Sequence, residues 1–132
     1  MTTFRISEAA GLLGVSSDTV RRWVDAGRLP ARRDDNGHRI VEGSDLAAFA
    51  RAQIETGNGS GHSSARNRLR GIVTEVIKDA VMAQVEIAAG PYRVVSLMSR
   101  QAADELGLAP GVVAVAVIKS TNVVVEIPDQ SQ

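Results

Sequence analysis

Cysteine is absent from the sequence, which removes disulfide staples, thiolate metal sites, iron–sulfur clusters and cysteine nucleophiles together. Histidine is nearly absent: His38 and His62 leave little for transition-metal ligation or proton transfer. No apolar run approaches the ~18 residues that span a bilayer. The amino terminus, Met1-Thr2-Thr3-Phe4-Arg5, lacks the apolar stretch of a secretion signal. A cytoplasmic protein without membrane attachment is expected. An excess of one charge is missing too: 15 Lys and Arg balance 15 Asp and Glu, so net charge announces no polyanionic partner. No Ser/His/Asp, metal-ligand or acid–base grouping stands out, which makes an enzyme the least expected class and leaves no expected metal-cation site.

What is present is the composition of a folded chain. The 132 residues, 44% hydrophobic and 23% charged, have room for one ordinary domain or two small ones. From Glu55 to Ala65 the chain reads Glu-Thr-Gly-Asn-Gly-Ser-Gly-His-Ser-Ser-Ala, without a large apolar residue. Such a run reads as a flexible tether. It predicts one domain over 1–54, a linker over 55–63 and a second domain over 64–129.

Hydrophobic period differs on the two sides of that tether. In the first part Ile6, Ala9, Ala10 and Leu13 follow the i, i+3, i+4, i+7 spacing of one helix face, and Val20, Trp23 and Val24 repeat it. Ser7 and Ser16 are candidate N-caps, and Gly14 suits a left-handed turn between two short helices. A third helix is predicted to open at Ser44 and to bury Leu46, Phe49 and Ala50. Between the second and third helices, Asn36-Gly37 is a strong signal for a tight hairpin. In the second part the period becomes two, in β-branched runs at 72–77, 81–87, 92–98, 112–118 and 123–127. Ser99 is a candidate cap for a short helix ending before Gly107. Val73, Val85, Val115 and Val125 are expected in the core. The fold class that follows is α+β and multidomain: a winged helix-turn-helix, then a small five-stranded β-barrel of oligonucleotide-binding (OB) type.

Helix, tight turn, helix and basic hairpin is an arrangement that places one helix in the DNA major groove and a wing beside it. With Val20, Trp23 and Val24 facing inward, Ser17, Thr19, Arg21 and Arg22 are placed to reach phosphates or base edges of double-stranded DNA. Arg32, Arg33, His38 and Arg39 on the wing can neutralise backbone charge. The segments Ile6 to Ser16, Thr19-Val20-Arg21-Arg22-Trp23, Gly27-Arg28-Leu29-Pro30 and Gly37-His38-Arg39 resemble the MerR-like and excisionase-like winged helix-turn-helix domains. The resemblance implies that Thr19 to Arg22 lie on the recognition helix and that His38 and Arg39 lie on the wing.

Ser64-Ala65-Arg66-Asn67 and Ile118-Lys119-Ser120-Thr121-Asn122 each combine a fixed cation with small hydroxyl or amide donors. Those are the groups a tetrahedral oxyanion of charge −2 requires, although each segment also suits an ordinary strand end. Together with Glu105-Leu106-Gly107-Leu108 and Pro110-Gly111, they are similar to the molybdate-binding Mop, or TOBE, domain. In that family the oxyanion lies between barrels of different subunits. The resemblance implies that Ser64, Ala65, Arg66, Asn67, Ser99, Lys119 and Ser120 bind molybdate or tungstate, and that the chain forms a homo-oligomer, a dimer or a ring of dimers. The expected function is a molybdate- or tungstate-responsive DNA-binding transcriptional regulator. Two alternatives stay open: an intracellular molybdate store, and an excisionase-like DNA-architectural factor whose barrel serves only assembly.

Overall fold

The computed structural model describes residues 2–54 and 63–128 and separates into two compact units that divide between Asn58 and Gly59. The predicted linker, residues 55–63, lies outside the described residues except for Ser63.

The first unit comprises β1 (Thr3–Arg5), α1 (Ile6–Leu13), α2 (Ser17–Asp25), β2 (Arg32–Arg33), β3 (Arg39–Glu42) and α3 (Gly43–Gln53). The strands form an antiparallel sheet in the order β1-β3-β2. Strand β1 was too short to show a period, and it forms because Thr3 to Arg5 find partners in Glu42 to Ile40. Because β1 runs straight into α1, the helix opens at Ile6 and not after Ser7. The Arg5 N–H is met instead by Glu8 Oε1 at 2.9 Å. Ser16 caps α2 as expected, its Oγ accepting the Thr19 N–H, and Gly14 takes the left-handed φ of 70° that ends α1. Helix α3 opens at Gly43, one residue before the predicted Ser44, directly from β3. Ile6, Ala9, Ala10, Val20, Leu29, Val41, Leu46 and Phe49 form the core. The small Ala9 and Ala10 allow α1 and α2 to approach closely, a shape-matching effect of tight interior packing.

The second unit is a curled antiparallel sheet with α4 (Arg100–Glu105) crossing from one strand to the next. Its strands β4 (Asn67–Lys78), β5 (Met82–Ala89), β6 (Tyr92–Ser99) and β7 (Val113–Ile118) lie in the order β6-β5-β4-β7. The twelve-residue β4 is long enough to pair with β7 along its first half and β5 along its second. A bulge between Val73 and Glu75 reverses which parity faces inward, so Val73 and Val76 both pack on the core. The alternation that announced this strand is broken by that extra residue. Ser99 caps α4, accepting the Ala102 N–H at 3.1 Å.

Two expectations need correction. Four strands pair where five were predicted: residues 123–127 follow a 3-10 turn, Ser120–Asn122, and have no partner strand among the described residues. Val115 and Val125 are correspondingly not core residues, at 40% and 83% exposure. Val115 points away from the inner face of the curled sheet, and Val125 has no sheet to join within one copy. Val73 and Val85 are buried as expected.

Gly71 holds β4 against β5. A Cβ there would stand 2.3 Å from the Ala88 carbonyl oxygen and 2.8 Å from Ile87 Cγ2. Backbone cannot yield as a side-chain tip can, so Gly71→Ala is expected to destabilise the second unit by about 1–3 kcal/mol, the usual cost of overpacking. Urea denaturation followed by circular dichroism measures it, and an unchanged midpoint would show that β4 shifts freely.

Candidate functional site

The described residues contain two clusters of oriented polar groups, one in each unit. In the first, α2 presents Ser17, Thr19, Arg21 and Arg22 away from its buried Val20. Thr19 Oγ1 lies 2.9 Å from Ser16 Oγ and accepts from Arg22 Nη2 at 3.2 Å. This pair tethers the Arg22 stem while leaving its charge uncompensated by a carboxylate. Arg21 differs, because Asp18 holds it at 2.7 Å.

The hairpin is organised by Asp34, whose Oδ1 accepts the backbone N–H groups of His38 and Asn36. Those bonds, the one from His38 foremost, hold the Asp34 carboxyl below the usual range. Gly37 supplies the left-handed turn, with a φ of 81°. Arg33 Nη1 donates to the Gly37 carbonyl at 2.6 Å, and the His38 ring stays exposed. Arg32 donates twice to Glu42 Oε1, at 3.0 and 2.8 Å. Arg39 Nη2 reaches Asp25 Oδ1 at 2.9 Å. That ion pair joins the end of α2 to the start of β3 and fixes the hairpin's position relative to the helix. Asp25 and Asp34 are open from the sequence as partners of the arginines, but Asp34 holds backbone N–H groups of the hairpin instead, and Glu42 is not foreseen. These partners lie 14, 4 and 10 residues from the groups they hold, and helix or strand periodicity carries no signal for such pairings.

In the second unit the two donor segments meet. Asn67 pairs with Ile118 across β4 and β7, and its Nδ2 donates to the Ile118 carbonyl at 3.1 Å. Ser64 to Arg66, which precede Asn67, and Lys119 and Ser120, which follow Ile118, are therefore at the same end of the sheet. Arg66 Nη1 donates to the Ser63 carbonyl, and the Ala65 N–H is turned toward Ser63 Oγ. No carboxylate pairs with Arg66 or Lys119 among the described residues, whereas Lys78, Arg93 and Arg100 bind Asp104, Glu86 and Asp104. The Lys78 ammonium holds the Asp104 carboxyl below its ordinary range.

Ser99 is not part of that gathering. It pairs with Met82, at the Lys78 end of β4, and eleven steps of about 3.3 Å along the strand separate that end from Asn67. One copy of the chain thus carries Ser64 to Asn67, Lys119 and Ser120 at one end and Ser99 at the other.

Comparison with known proteins matches both units. A helix-turn-helix domain model fits residues 3–54, and a TOBE domain model fits residues 63–125. Molybdenum-pterin-binding protein 1 of Clostridium pasteurianum is 40% identical over 63 residues, covering 47% of this chain and 93% of that protein. Molybdenum-pterin-binding protein MopB of Rhodobacter capsulatus is 32% identical over 94 residues, 68% of this chain and 35% of MopB. The transcriptional repressor DcmR of Methylorubrum extorquens is 44% identical over 52 residues, 39% of this chain and 20% of DcmR. The chain spans about a third or less of the length of several relatives it matches. No described helix is long and apolar enough to cross a membrane. With near-complete coverage of a relative at 40% identity, the chain belongs to the TOBE and molybdenum-pterin-binding (Mop) family, with a helix-turn-helix domain joined ahead of the Mop domain.

Proposed function

We propose that this protein is a cytoplasmic DNA-binding transcriptional regulator that responds to molybdate or tungstate, held between Mop domains of neighbouring copies. The observation that carries the reading is the Asn67–Ile118 junction. It brings two cations and a set of small donors to one end of a domain that follows a helix-turn-helix. The relatives named for molybdenum-pterin binding support the ligand, and a relative named as a transcriptional repressor, 44% identical over 52 residues, supports the output.

The oxyanion takes charge-assisted bonds from Arg66 and Lys119 and neutral donors from Ser64, Asn67 and Ser120, joined by the Ala65 N–H when it exchanges Ser63 Oγ for the anion. Ser99, at the opposite end of the same sheet, serves a site formed with another copy. Self-association is favoured for a second reason. The inner face of the curled sheet opens into a groove of about 440 Å³, lined by Val85, Ile87, Val94, Met98, Ala114 and Ala116 among others. Residues 123–127 are an unpaired apolar segment of strand length. Exchange of that segment between copies closes both barrels and covers the free edges of β6 and β7. An oxyanion beside the exchanged segment then biases assembly, and assembly sets whether two recognition helices engage a two-fold DNA site together.

The test is DNA affinity of the full chain, by fluorescence anisotropy, with and without molybdate, tungstate and sulfate at matched ionic strength. A several-fold change caused by the first two and not by sulfate is expected. Binding no tighter than to random duplex at low salt would favour a molybdate store. Specific DNA binding indifferent to every oxyanion would favour an architectural factor. In the same assay Arg22→Ala is expected to weaken binding and to lower the slope of log K against log salt by about 0.9, the release of one phosphate's counterions. An unchanged slope would remove Arg22 from the contacts.

A further inference from the structure

Uncompensated charge in the second unit gathers at and just before the start of β4. Arg66, Arg68 and Arg70 alternate with Asn67 and Leu69, all three arginines are exposed, and none meets a carboxylate among the described residues. From residue 63 to residue 74 the sequence holds no acidic residue at all. A dianion is satisfied by one or two cations, and Arg66 with Lys119 already supplies them. Arg68 and Arg70 are in excess of that need.

Their placement is distinctive. Residues 67–71 of β4 pair with residues 114–118 of β7, while the β5 pairing begins only at Ile72. Arg68 and Arg70 therefore ride on a two-stranded ribbon. They are on the parity opposite to Gly71 and Val73, which pack inward. Successive arginines on one strand face are about 6.8 Å apart, twice the 3.4 Å axial rise per phosphate of a DNA strand. Guanidinium groups bind phosphate through paired N–H donors.

The first unit does not present its cations in such a row. It has eight arginines against seven carboxylates between residues 2 and 54; Arg21, Arg32 and Arg39 are each held by one of those carboxylates, and the remaining five are spread over several elements, not aligned on one strand face. We propose that Arg68 and Arg70 form a second phosphate-contacting surface for the DNA that the helix-turn-helix engages. The inference rests on the DNA-binding reading above. Arg66 follows Gln53, the last residue of α3, by thirteen positions. Covalent connection over so few positions keeps the ribbon at an effective concentration on the order of millimolar around DNA held by the first unit, where weak phosphate contacts count.

The experiment compares the full chain with the double variant Arg68→Ala/Arg70→Ala and with Arg68→Lys/Arg70→Lys. It uses duplex DNA by anisotropy over a salt series and sedimentation velocity without DNA. The alanine variant is expected to lower the salt slope by about 1.8, at ~0.9 per phosphate, with the same sedimentation profile, and the lysine variant is expected to retain the slope. An unchanged slope in the alanine variant overturns the proposal. A changed sedimentation profile also overturns it, by assigning the ribbon, with its neighbouring Val115 and Val117, to contact between copies. If the unaltered chain itself fails to bind duplex, the DNA-binding reading falls, an outcome distinct from either of these.

Discussion

Val125→Asp is expected to weaken self-association of the full chain by about a thousandfold, read as dissociation in a sedimentation-velocity concentration series. Alternation along residues 123–127 puts Val123, Val125 and Ile127 on one face and Val124 and Glu126 on the other. The apolar face is 45%, 83% and 82% exposed at its three positions, an arrangement a folded protein does not leave in water without reason. Full burial of each such side chain contributes about 1.5–3 kcal/mol. Three per segment, with two segments exchanged, give enough to hold a pair of small subunits against the cost of association. Placing a carboxylate at the middle position removes one of the three contributions, about 2 kcal/mol, from each of two segments. The resulting ~4 kcal/mol corresponds to roughly three decades in dissociation constant. Glu126→Gln, on the other face, is expected to leave the assembly intact. Unchanged sedimentation of Val125→Asp would sink the exchange. A lower melting temperature at unchanged mass would mean instead that the segment closes the barrel of its own copy.

Much of this architecture could be read from residues alone, and the exceptions have a common cause. Helices α1 and α2 were visible because Ile6, Ala9, Ala10 and Val20 repeat at helical spacing, and their apolar faces are satisfied within a single unit. The hairpin was visible because Asn36-Gly37 encodes a left-handed turn locally. The segment 123–127 has a clear β pattern and yet forms no strand in one copy. Periodicity reports that a segment is suited to a sheet but not which chain supplies the neighbouring strand. The same holds for Ser99: its role as a helix cap was legible from sequence, whereas its distance from Arg66 and Lys119 depends on β4 running the full length of the sheet. The Arg32–Glu42 ion pair escapes for a related reason, since nothing in either residue's neighbourhood marks the other. Donor segments were found because hydroxyl, amide and cation lie adjacent in sequence. Their meeting at one end follows from the antiparallel pairing of β4 with β7.

Lys119→Ala is expected to lower molybdate affinity by roughly 10- to 100-fold, the loss of one charge-assisted hydrogen bond of about 1.5–3 kcal/mol, measured by calorimetry on the full chain. Lys119 precedes the 3-10 turn and is exposed, without a carboxylate partner among the described residues. The charge can therefore be removed without orphaning an anion or disturbing the core. The β4–β7 pairing and the Asn67–Ile118 bond use backbone and Asn67 groups that the substitution leaves in place, and the helix-turn-helix lies in the other unit. Loss of oxyanion heat at unchanged melting temperature is thus assignable to the site. Lys78→Ala is the matched control. It removes the other lysine of the chain from the opposite end of β4, where that lysine serves Asp104, so it is expected to reduce thermal stability slightly and to leave the titration unaltered. Tungstate, with the same charge and shape, is expected to lose affinity in parallel with molybdate. If Lys119→Ala titrates like the unaltered chain while Lys78→Ala does not, the cation that grips the oxyanion belongs to the Ser99 end of the sheet. The junction at Asn67 and Ile118 would then be a structural seam and not a binding site.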